Sequence, residues 1–228
     1  MVKSFLIIIS IQIFLFSSEQ IILVVSNDFD SSIANLSTFE DGKRVFKPFE
    51  VNIGTNGLGW GLGKTSLKQK ELEPQKYEGD KKAPIGIFKL DSIFGYEKNK
   101  NFKMKYLHAT KELICVDDSN SSSYNQIINL KYEKPKSFEY MRRDDNQYEL
   151  GVVVAHNSKQ LKGRGSCIFL HVEKAKDEPT AGCTSMSLEN MKKIVNWLDK
   201  SKNPILVQVS KSKLNQIKEL YPELELAE

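Results

Sequence analysis

GSCIFLHVEKAKDEPTAGCTSMS, residues 165–187, is the stretch on which the reading of the whole chain turns. It opens with an apolar run, Cys167 to Lys174, that reads as a strand delivering His171. A polar loop follows, and Gly182-Cys183 then sits just before a segment of helical period. Leu188, Met191, Ile194, Val195 and Leu198 share one face of that helix; Ser187 is the N-cap, Glu189 lies in the first turn, Lys200 in the last, and Pro204 follows. A thiol between a glycine turn and a capped helix, with eleven residues between it and a strand histidine, has the parts that thiol chemistry needs. An imidazole can take the thiol proton and return it to a leaving amine. Gly182 permits a tight turn, so backbone amides of Gly182, Cys183 and Thr184 are candidates for an oxyanion hole.

Outward from this stretch, short apolar runs alternate with turn residues. Ile21–Val25, Val45–Ile53, Ile85–Leu90, Leu113–Val116, Gly151–His156 and Ile205–Val209 also read as strands. Pro48 inside the second run suggests an edge or a bulge. Leu214, Ile217, Leu220 and Tyr221 form a second, shorter helix stopped by Pro222. Many strands, few helices and no βαβ rhythm predict a mainly β domain. Asn56–Gly63, with four glycines around Trp60, lacks the ending of a phosphate cradle and reads as a loop able to line a cleft.

The N-terminus reads as an export signal. Lys3 precedes an apolar run from Phe5 to Phe16, then Ser17 and Ser18. The run is shorter than the roughly 20 apolar residues of a membrane span, so cleavage is favoured over a retained anchor. Three cysteines in an exported chain suggest one pair and one free thiol. Residues four apart on a strand are roughly 13 Å apart, so Cys167 and His171 are poorly placed to share a zinc ion with Cys183. No metal is expected, and Cys115–Cys167 is the preferred pair, although the sequence alone leaves the pairing open. The formal net charge of +4 is spread along the chain. That distribution suits an anionic matrix and argues against nucleic acid.

The chain resembles the L,D-transpeptidase catalytic domain, also called YkuD-type. That family places a histidine upstream of Ser/Thr-His-Gly-Cys, and here His171 precedes Thr180-Ala181-Gly182-Cys183. The segments 56–61, 78–88, 115–118, 151–157 and 165–171 extend the likeness to one branch with a Thr-Ala-Gly-Cys motif. Ala181 replaces the second histidine of most members, and Ser185 stands where many have Arg or Asn. The resemblance implies a β-sandwich or barrel with a few short helices and organises the chain as signal 1–18, catalytic domain 19–209 and helical tail 210–228. It implies Cys183 as nucleophile and His171 as base, acting without a cofactor on peptidoglycan stem peptides. The expected product is a 3→3 cross-link; transfer to water, making an L,D-carboxypeptidase, is the alternative. A sortase-like enzyme is disfavoured because no arginine follows Arg164. A non-catalytic wall-binding module is disfavoured by the intact Cys183 and His171. His156, Arg164 and Trp60 are candidate substrate contacts. A monomer is expected, soluble once the signal is removed, in the periplasm, wall or medium.

Overall fold

The computed structural model describes residues 19–226 except 65 and 99. The expected signal segment, 1–18, lies outside the described residues. The strands are β1 (Gln20–Ser26), β2 (Ile33–Glu40), β3 (Lys43–Arg44), β4 (Phe49–Asn52), β5 (Leu58–Trp60), β6 (Ala83–Gly95), β7 (Lys105–His108) and β8 (Leu113–Val116). They continue as β9 (Ile127–Asn129), β10 (Phe138–Tyr140), β11 (Leu150–Val154), β12 (Phe169–Val172) and β13 (Thr184–Met186). Helix α1 (Leu188–Trp197), β14 (Ile205–Ser210) and helix α2 (Leu214–Leu220) complete the order. The domain is mainly β, as the sequence predicts.

The main sheet runs β1-β14-β6-β11-β12-β13-β4-β2, and β2 pairs back onto β1. The sheet thus closes on itself, and closure removes the exposed edges that invite aggregation. Closure also explains β1: Ile21, Ile22, Leu23 and Val24 are all buried, as expected for a strand paired on both sides and covered on both faces. Long β6 binds different partners along its length, β14 through Gly86–Lys89 and β11 through Leu90–Gly95. Pro48 stands just before β4 and so never enters the ladder. Since β4 lies between β2 and β13, the expected edge position is corrected.

A second correction concerns Asn56–Gly63. Leu58–Trp60 is a strand, not a loop, because its backbone pairs in parallel with Ala83–Ile85. Glycines depress strand propensity locally; the partner supplies what the local sequence lacks. At Gly57 (φ +70°) a Cβ would lie 2.0 Å from Phe29 O, so the turn into β5 accepts glycine alone.

Helix α1 begins as predicted. Ser187 Oγ accepts from Asn190 N at 3.3 Å, and Met191, Ile194 and Val195 are buried. Lys200 falls in a separate short 3-10 turn rather than in the last turn of α1. The C-terminal segment is not peripheral: Ile217 and Leu224 belong to the main core, and Lys213, 1% exposed, pairs with Glu73. Outside the barrel, β10-β8-β9 form a small sheet. It is fastened to the barrel by a disulfide between Cys115 and Cys167. Among the described residues no helix is long and apolar enough to cross a membrane.

Candidate active site

His171 lies on β12 and Cys183 immediately before β13, the strand paired in parallel with β12. Leu170 is level with Thr184 and His171 with Ser185. One residue earlier, the Phe169 amide donates to Cys183 Sγ at 3.3 Å. Strand side chains alternate between faces, so Phe169, His171, Cys183 and Ser185 share one face. Thr184 points the other way, where its hydroxyl meets Gln208 Oε1 at 2.7 Å. The fold therefore turns a separation of twelve residues into adjacency across one strand pair.

The imidazole is oriented by its own strand. His171 Nδ1 lies 2.7 Å from Val172 O. A carbonyl only accepts, so Nδ1 carries the hydrogen and Nε2 presents a lone pair. The thiol hydrogen at rest faces Cys167 O, 3.5 Å from Sγ, rather than His171. Burial pushes the Cys183 thiol up to about 12, with the Glu139 charge adding to it and the Phe169 amide opposing. Burial pulls His171 down to about 4, opposed by the Val172 carbonyl. The resting pair is thus neutral thiol and neutral imidazole. The cause is an aromatic wall. Phe94 and Phe169 meet at 5.2 Å between centroids, Tyr148 and Phe169 at 5.5 Å, and Tyr148 and His171 at 5.2 Å. Gly151 makes room for the wall: a Cβ there would lie 2.3 Å from Phe94 Cζ.

The Gly182 turn is held by Thr180. Its hydroxyl donates to Cys183 O at 2.6 Å and accepts from Gly182 N at 3.0 Å, so the Gly182 amide is occupied at rest. Gly182 has φ +140°, and a Cβ would lie 2.9 Å from Lys82 O. Ser185 Oγ, buried and level with His171, has no hydrogen-bond partner among the described residues.

The other sequence candidates are tied into the scaffold. His156 is 2% exposed, with Nδ1 accepting from Leu62 N (3.2 Å) and Nε2 donating to Arg164 O (2.9 Å). Both nitrogens are committed, which is a structural role. Arg164 donates to Gln75 Oε1 and Lys76 O. Trp60 donates to Glu73 and lines a cavity of about 590 Å³ whose walls include Gly86, Phe88 and Leu161 but neither Cys183 nor His171.

Residues that sequence reading did not single out surround the pair. Tyr148 Oη donates to Glu139 Oε2 at 2.6 Å, and Arg143 lies over the Tyr148 ring at 5.1 Å. Lys76, buried, is held by Asp80 and Tyr77 O, and its charge favours the Cys183 thiolate. Nothing in their local sequence marks them.

The family model described as the L,D-transpeptidase catalytic domain matches residues 21–209. The chain belongs to this family. No curated protein and no solved structure matches it.

Proposed function

We propose that the protein is an exported peptidoglycan L,D-transpeptidase that works through an acyl-enzyme on Cys183. The observation that carries this reading is the pairing of β12 with β13, which sets Cys183 and His171 on one face, with His171 Nε2 unbonded among the described residues. Cys183 Sγ attacks the carbonyl of the third residue of a tetrapeptide stem and its proton passes to His171 Nε2. The carbonyl C–N bond breaks, and His171 returns the proton to the departing D-Ala nitrogen. The amine of a second stem then attacks the thioester, losing a proton to His171, and the thiol reforms; the new bond is a 3→3 cross-link. The Cys183 amide, with those of Gly182 and Thr184, receives the oxyanion. Gly182 N does so after leaving Thr180. Hydrogen bonds of this kind often tighten only when substrate is bound, in keeping with a thiol that faces Cys167 O at rest.

Export is supported by the Lys3 to Ser18 pattern and by a disulfide, which persists in oxidising compartments.

The test is mass spectrometry of products from disaccharide-tetrapeptide stems, with Cys183→Ala as control. Cross-linked dimers that vanish in the variant are expected. Tripeptide monomers alone would assign water as the acceptor, and products undiminished in Cys183→Ala would overturn the mechanism.

A further inference from the structure

An enzyme that removes one terminal residue must recognise the chain end as well as the bond it cuts. The end of a tetrapeptide stem is a carboxylate, and arginine suits it through paired N–H donors. Resting on the function proposed above, we propose that Arg143 takes this terminal carboxylate and makes the enzyme selective for stems ending in a free acid.

Arg143 lies between β10 and β11, in a loop pinned by Tyr96: Arg143 N donates to Tyr96 Oη, and Tyr96 Oη donates to Arg143 O. Its guanidinium rests on the Tyr148 ring, 5.1 Å from the centroid, and that ring meets His171 at 5.2 Å. Asp145 accepts from Nε at 2.9 Å and from Nη2 at 2.5 Å. Two of five N–H donors are used, and Nη1 has no partner among the described residues. The side chain is 37% exposed, so its outer edge is open to a ligand.

The other cations are held against other groups: Arg142 lies over Tyr96 and Arg164 over Tyr77. Arg142 donates to Tyr96 O and Ala109 O. Arg164 is bound to Gln75 and Lys76 O, and Lys76 is buried against Asp80. Arg143 alone of these combines a spare edge with stacking on the ring that touches the base. Because Asp145 already fixes the fork, a carboxylate finds an ordered donor and little side-chain entropy is lost on binding.

The experiment compares two tetrapeptide stems, one ending in a free acid and one in a C-terminal amide, on wild type, Arg143→Gln and Arg143→Lys. Wild type is expected to favour the acid by roughly 10- to 100-fold in kcat/KM, as one charge-assisted contact allows. In Arg143→Gln the preference falls towards one, mainly through KM, and Arg143→Lys recovers part of it. Equal acid preference in wild type and Arg143→Gln, or no preference in wild type, overturns the assignment to Arg143. A wild type idle on both stems overturns the transpeptidase reading and this inference with it. Should Arg143→Gln turn over neither stem, Kd for the acid stem decides, measured in Cys183→Ala with and without Arg143→Gln. Loss of about tenfold or more supports the role, and equal Kd values overturn it.

Discussion

A thiol pushed up to about 12 beside an imidazole pulled down to about 4 keeps its own proton at neutral pH. In the proposed mechanism the proton moves when substrate displaces water and the developing oxyanion is met by backbone amides. Alkylation of Cys183 by iodoacetamide should therefore be slow at pH 7 and rise steeply at alkaline pH; fast labelling below pH 7 would show a standing thiolate. Glu139→Gln removes a charge that opposes the thiolate and should speed labelling several-fold at fixed pH. Gly182→Ala, with φ +140° and Lys82 O at 2.9 Å from the new Cβ, should lower kcat while leaving most stability intact. Cys183 and His171 were legible because few residue types do this chemistry and because a glycine and a capped helix frame the thiol. Tyr148, Glu139 and Arg143 were not. They are ordinary residues that become neighbours of the site only after β10 and β11 are placed, and no local pattern encodes that meeting.

Among elements, the small sheet carries more of the site than its size suggests. Glu139 on β10 is level with Cys115 on β8, and Cys115 is bonded to Cys167, whose carbonyl faces the Cys183 thiol. Replacing both Cys115 and Cys167 by alanine should cost roughly 2–5 kcal/mol, as loss of a native disulfide does. A urea titration measures this, and turnover should persist because neither sulfur takes part in the proposed acyl transfer. Long apolar runs such as β1 and β14 could be read from sequence, since burial on both faces leaves little else to encode. Short strands could not: β5 is Leu-Gly-Trp and β13 is Thr-Ser-Met. Trp60 and Thr184 favour strands, but runs of three carry too little of that preference to be read, and pairing with β6 and β12 decides their conformation.

For the molecule as a whole, closure of the barrel makes stability a shared property of distant segments. The family match ends at residue 209, yet Ile217 and Leu224 lie in the main core. Truncation after Val209 should be destabilising by several kcal/mol, at about 1.5–3 kcal/mol for each buried aliphatic side chain, read as a lower urea midpoint. Acid acts on the whole fold through two buried histidines. His156 and His171 are both held down to about 4, chiefly by burial, against about 6.5 for an unfolded chain. The unfolded state therefore binds more protons between these values. Their contribution is present above about pH 6.5 and is lost as pH falls towards 4, on the order of 3 kcal/mol per histidine. The urea midpoint should fall over that window; a flat profile would mean that neither ring is buried neutral.

Acyl transfer through one thiol is the claim on which the rest depends, and intact-protein mass spectrometry addresses it directly. Protein mixed with a tetrapeptide stem and quenched in acid within a turnover should gain the mass of the stem less that of the released free D-Ala. The adduct should map to Cys183 and be absent from Cys183→Ala. An adduct on another residue, or one of equal yield in Cys183→Ala, would contradict the account.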